Sequence, residues 1–125
     1  MGFVERLHLY DAVLSLAKFE DNNLAHVDLR KTRLTEATLN QVDLHGANLE
    51  GAKLVMAEFN QVNFKDAVLK NTDLRSSTFL NCHFSGADLS GANLECAEIR
   101  SANGLTYRQL SRAKCLRELR LSQEN

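Results

Sequence analysis

The sequence predicts an all-β solenoid: a chain that turns a square corner every five residues, stacks coil upon coil and ends in a capping α-helix. Three observations carry this expectation. Large apolar residues recur at every fifth position, a small residue stands two places before nearly all of them, and the repeat stops in a segment with the cap and spacing of a helix.

The fivefold spacing comes first. Leu9, Leu14, Phe19, Leu24, Leu29, Leu34, Leu39, Leu44, Leu49, Leu54, Phe59, Phe64, Leu69, Leu74, Phe79, Phe84, Leu89, Leu94 and Ile99 are nineteen consecutive large apolar centres. In an α-helix five residues advance about 500°, so these side chains would wander round the cylinder. In a flat strand they would fall on opposite faces in turn. Neither arrangement buries them together. Ala, Val, Thr, Ser or Cys lies two before each centre except at Leu7 and Asn22, and Asp or Asn often stands between, as at Asp28, Asp43, Asn48 and Asn93. If the centre and the small residue both point inward, as alternate residues of an extended segment do, the other three face solvent and include a corner. Four right-angled units then close a coil of twenty residues, which stacks on the next at about 4.8 Å.

A period of twenty sorts the centres into four faces, headed by Leu9, Leu14, Phe19 and Leu24. Phe19, Phe59 and Phe79 share the third face, and Phe64 and Phe84 the fourth. Outside, Asn40 and Asn60 form one column and Gln41, Gln61 and Asn81 the next, a pattern suited to stacked amide ladders.

The units GANLE at 46–50, GADLS at 86–90 and GANLE at 91–95 resemble the A(D/N)LXX unit of the pentapeptide repeat proteins. The resemblance covers about residues 7–103 and implies a right-handed quadrilateral β-helix. It implies less about function, because one fold hosts many functions. The family includes topoisomerase-inhibiting DNA mimics, bacterial effectors and many members with no assigned role.

One domain is expected over the 125 residues, since no linker interrupts the repeat. A net charge of −1 argues against a generally basic nucleic-acid binder, so direct nucleic-acid binding is not expected. Cys82, Cys96 and Cys115 are odd in number and lack CxxC spacing, and Cys82 occupies a small inward position. Such usage reads as reduced and cytoplasmic, not as a disulfide framework. Charges interrupt every apolar run before a membrane span is reached, so a soluble cytoplasmic protein is expected.

The two ends differ. After Asn103 the repeat gives way to GLTYRQLSRAKCLRELRL, where Gly104 stands in the place of the next centre. Thr106 followed by Gln109 reads as a capping box, and Tyr107, Leu110, Ala113, Leu116 and Leu119 recur at helical spacing, so a helix over about 107–121 is expected as a cap. The segment also resembles the GLT–QL–A–L ending of many bacterial family members. It carries Arg108, Arg112, Lys114, Arg117 and Arg120, leaving residues up to 103 at −4 and the tail at +3. The basic residues suit either a solvated cap whose last-turn arginines complement the helix dipole, or an anion contact. At the other end Val4 is a degenerate centre without a cap, and an exposed first coil there could pair with a second copy as a homodimer.

Little in the sequence points to chemistry. His26 and His45 fall one coil apart on the fourth face, but two ligands without a third make a weak metal site. His8 and His83 stand apart from them, and no HExxH, P-loop, GxSxG or GxGxxG is present. No metal, cofactor or catalytic residue is assigned, and the chain reads as a non-enzyme. Two function classes remain. As an interaction module it would bind an unknown protein partner, with the outward apolar group Leu16, Val55 and Met56 on the second face as the candidate contact. As a DNA mimic it would use an acidic face to occupy a type II topoisomerase such as DNA gyrase. Outward charges sum to −1, 0, −2 and −1 over the four faces, and the third carries Glu20, Asp21, Glu58 and Glu98 against Lys18 and Arg100.

Overall fold

The computed structural model describes residues 8–123, and Val4 and Leu7 lie outside them. The unit at 47–51 shows why the sequence folds this way, because each of its five N–H groups has its own acceptor. Ala47 N–H bonds the Leu44 carbonyl and closes the corner, at 3.0 Å. Asn48 N–H bonds Val27 O in the coil before, while Leu49 and Gly51 N–H bond Val68 O and Lys70 O in the coil after. The fifth donor, Glu50 N–H, has no place in this ladder and bonds Asn48 Oδ1 at 3.0 Å. This is the physical reason for Asp or Asn before the centre: its side chain satisfies a donor that would otherwise be orphaned. Asn23, Asp28, Asp43, Asn63, Asp73, Asp88 and Asn93 do the same.

The third face has no Asp or Asn in that place, and it is where the extended strands form. They are β1 (Lys18–Glu20), β2 (Thr38–Asn40), β3 (Glu58–Asn60), β4 (Thr78–Leu80), β5 (Glu98–Arg100) and, after α1 (Tyr107–Ser111), β6 (Arg120–Ser122). They form one parallel sheet in order β1 to β6, with Phe19 beside Leu39, Leu39 beside Phe59 and Phe59 beside Phe79. The other faces stack through single bridges such as Val13–Arg33 and Asp28–Asn48. The register is twenty residues throughout the repeat, as expected.

The core is the column of centres. From Leu29 onward every centre to Ile99 is buried, as are the alanines and valines two before them, whereas Leu9, Leu14, Phe19 and Leu24 of the first coil are half-buried. Phe59 and Phe79 stack at 4.6 Å, Phe64 and Phe84 at 5.3 Å, and the two ladders meet edge to face where Phe59 touches Phe64. Such pairs add about 0.5–1.5 kcal/mol each beyond burial. Thr32, Thr72 and Ser77 are tolerated inside because each hydroxyl donates to the carbonyl three residues before it.

The helix is shorter than the expected 107–121. It ends at Ser111, and the chain then rejoins the solenoid: Cys115 bridges Asn93, and β6 pairs with β5 through Ile99 and Leu121. The register here is twenty-two, so α1 is a two-residue excess inserted into an otherwise continuing repeat. Resuming the coil gives the open edge of β5 hydrogen-bond partners that a longer helix would deny it. The capping box is present, with Thr106 Oγ1 accepting from Gln109 N–H and Gln109 Oε1 accepting from Thr106 N–H. Gln109 Nε2 also donates to the carbonyls of Phe84 and Ala87, while Leu110 seals the core. Gly104, at φ +74, lies so near Ser85 that a Cβ would stand 2.7 Å from its backbone nitrogen.

Candidate interaction surface

Three residues of each unit face outward: the one before the centre and the two after it. The second residue after the centre turns the corner in the left-handed region, and sixteen non-glycine residues among those described take this conformation, Leu16 at φ 66 and Met56 at φ 61 among them. Each corner residue therefore projects from an edge of the rod, and side chains on one edge align down the stack.

The expected apolar group is not contiguous. Val55 and Met56 are neighbours in one coil, but Leu16 lies two coils away, and Glu36 stands between Leu16 and Met56 in their column, as the bonds Leu16 N–H to Thr35 O and Glu36 N–H to Val55 O show. Leu16 shares the first coil with Tyr10 and Val13, all of them more than half exposed, but it turns the next corner. Sequence reasoning missed Tyr10 and Val13, although both are large apolar or aromatic residues at outward positions.

The acidic third face is likewise dispersed. Glu58 and Glu98 share a column with Thr78 between them, and Glu98 pairs with Arg100 at 3.4 Å. Glu20 and Asp21 sit a full coil or more away in the first turn. Between these acids lies a neutral amide patch, where Asn60 Nδ2 donates to Asn40 Oδ1 at 2.7 Å and Gln41 Nε2 to Gln61 Oε1 at 2.8 Å. One amide bond thus forms in each expected column, between Asn40 and Asn60 and between Gln41 and Gln61.

The ionisable groups are quiet. Arg30 grips Asp28 through Nε and Nη2, at 2.9 and 2.8 Å, and holds its carboxyl far below the ordinary carboxylate range. Arg75 grips Asp73 through the same two nitrogens and lowers it, and the Ser90 hydroxyl lowers Asp88. Burial pushes the Cys82 thiol up to about 11, and the Glu118 carboxylate beside Cys96 raises that thiol too. The rings of His26 and His45 lie 5.2 Å apart, with His45 Nε2 3.7 Å from Asp66. Among the described residues no group of three or more His, Cys, Asp or Glu is arranged to hold a metal ion. No helix among them is long and apolar enough to cross a membrane. An open depression lies at the C-terminal end against Ile99, Leu105, Tyr107, Leu110 and Leu121.

Comparison with known proteins agrees with this geometry. A family model described as Pentapeptide repeat region matches residues 32–107, and one described as Pentapeptide repeats (8 copies) matches residues 12–51. No curated protein sequence matches. Among solved structures, the pentapeptide repeat protein Rfr23 of the cyanobacterium Cyanothece 51142 is similar over 94% of this chain and 88% of its own, with TM-score 0.74 and 21% identity. A pentapeptide repeat protein of the Arabidopsis thaliana thylakoid lumen is similar over 75% of this chain and 70% of its own, with TM-score 0.46 and 24% identity. QnrB1, described as a plasmid-mediated fluoroquinolone resistance protein, is similar over 91% and 66%, with TM-score 0.48 and 16% identity. With a family model spanning more than half of the sequence and a square coil of five-residue units, this chain belongs to the pentapeptide repeat family.

Proposed function

We propose that the protein is a non-enzymatic interaction module, a rigid rod whose outward columns bind a protein partner. The observation that carries this reading is the regular outer surface, where side chains at left-handed corners align in columns down a stack of parallel coils. The resolved pKa shifts accord with it, since Asp28, Asp73 and Asp88 are lowered and Cys82 and Cys96 raised, each away from neutrality. Three free thiols accord with a reducing, cytoplasmic setting.

The test is capture of a partner from native cell extract by the folded chain, with the unfolded Leu49→Asp variant as control. A partner held only by the folded chain supports the reading, and a turnover assay that detects catalysis removes it. DNA mimicry is the less favoured alternative. A phosphate mimic must approach one negative charge per about 1.7 Å of axis, and Glu58 and Glu98 are two coils apart, with Arg100 on the second. The expected result is no inhibition of gyrase supercoiling. Inhibition lost on Glu58→Lys with Glu98→Lys would establish mimicry. Self-association through the first coil is a separate proposal, supported by exposed Tyr10, Val13 and Leu16. A monomer by light scattering at high concentration excludes it.

A further inference from the structure

Charge on this rod segregates by edge and not by face. An edge gathers the two residues after one centre and the residue before the next. The edge between the first and second faces carries Arg30, Lys31, Arg33, Lys53, Lys70 and Arg112 against Asp11, Glu50 and Asp73, and Lys114, which takes the place of a small inward residue in the last coil but is exposed beside Gly91 and Asn93, brings it to a net +4. The other three edges of the described residues sum to −1, −2 and −1, so the molecule is neutral over 8–123 but strongly polarised across its width. From Arg33 to Lys114 the ridge covers four coil steps, about 19 Å.

The ridge keeps a positive excess although acids lie against it. Of the seven cations only Arg30 has an ion pair among the described residues; Lys53 stands beside Asp73, whose carboxylate is already gripped by Arg75, and Lys70 and Arg112 lie near enough to Asp88 to act on it electrostatically. Arg33 and Lys53 are also direct bridge partners, like charges stacked one coil apart, an arrangement that opposes folding. Gly51 and Gly91, at φ +73 and +72, remove two side chains from the same edge and notch it.

We infer that this ridge is a docking surface for an acidic, extended segment of a partner protein. The ridge is narrow and flanked by acids on both sides, Asp28 and Asp88 on the first face and Glu36 and Glu95 on the second. A nucleic-acid duplex would press its phosphates against those flanks. The ridge also lacks a run of aromatic platforms for single-stranded bases, since Tyr10, at its first coil and with the Arg30 guanidinium 5.3 Å from the ring centre, is its single aromatic ring among the described residues. A strand-like segment of about six residues spans the cations, with alternate acidic side chains turned toward them.

The ridge depends on the interaction reading above, yet the two fail separately. A partner captured equally by the wild type and by the Arg33→Glu, Lys53→Glu variant keeps the interaction reading and removes the ridge. The direct test uses a fluorescent ten-residue peptide of alternating Glu and Ser, with anisotropy read at low ionic strength. Arg33→Glu with Lys53→Glu should weaken binding at least about tenfold, while Lys18→Glu with Lys65→Glu, the same charge change on other edges, should alter it by less than about twofold. Both pairs are exposed, and matching thermal melts establish that folding is intact. Equal loss in the two variants, absence of wild-type binding, or tighter binding of duplex DNA than of the peptide would each overturn the assignment.

Discussion

Gln109 should behave as the plug of the C-terminal end. Its side chain makes three hydrogen bonds: Oε1 accepts from Thr106 N–H, and Nε2 donates to the carbonyls of Phe84 at 2.7 Å and Ala87 at 3.2 Å. At about 0.5–1.5 kcal/mol each, Gln109→Ala should cost about 2–3 kcal/mol, which lowers the melting temperature of a domain this size by about 10 °C. Gln109→Glu is the sharper perturbation. It keeps the acceptor toward Thr106 but turns a carboxylate oxygen toward two carbonyl oxygens. The protonated form, which can donate to one of them, is then favoured in the folded state, so the folded pKa of the new carboxyl lies above its unfolded value of about 4.3. A group raised in this way binds more protons when folded, so the variant loses stability as pH rises from about 4 toward neutrality, relative to wild type. Thermal melts of both variants and wild type at acid and neutral pH measure this. If Gln109→Glu melts with wild type at neutral pH, or its deficit does not shrink in acid, the plug is not what closes this end.

Other outcomes follow from the same structure. Leu49→Asp places an unpaired carboxylate in a fully buried column and should abolish cooperative folding, whereas the outward Glu50→Ala should change stability by less than about 0.5 kcal/mol; circular dichroism melts compare them. Removal of residue 106 onward strips both the helix and β6 from the last coil, and size-exclusion chromatography should then show self-association. Arg30 and Arg75 lower their partners Asp28 and Asp73, so the stability they contribute is present above the ordinary aspartate pKa and is lost as pH falls below about 4. The Asp28→Asn, Asp73→Asn variant should show a smaller acid-induced fall in melting temperature than wild type.

The solenoid was legible because its driving force is periodic and local. A centre every fifth residue, a small partner two before it and an Asp or Asn between them encode inward packing and a donor-satisfying side chain, and the unit at 47–51 uses all three. The aromatic and amide ladders were legible for the same reason, since one coil fixes which residues stack. The end of the helix was not. Tyr107, Leu110, Ala113, Leu116 and Leu119 have helical spacing, but Leu116 and Leu121 are also five apart with Leu119 two before the second, which is the repeat resuming two residues out of phase. Local spacing leaves both readings open. The choice falls to the non-local ladder, where Cys96 N–H reaches Arg117 O and Arg120 N–H reaches Ala97 O across twenty or more residues.

The candidate surface was harder to read because an outward position does not by itself specify its neighbours. Grouped by face, Arg33 and Lys53 are cancelled by Glu36 and Glu95, and Lys31 and Lys70 by Asp28 and Asp88. In the folded chain the cations of two faces meet at a shared corner, and the acids flank it, with Asp28 paired to Arg30 and Asp88 within electrostatic reach of Lys70 and Arg112. A side chain at a left-handed corner points along the diagonal of the coil, so a partner approaching an edge meets residues from both adjoining faces at once. Interaction on a convex square rod is therefore governed by its four edges, and charge that averages to nothing over a face can still present a net sign along a corner.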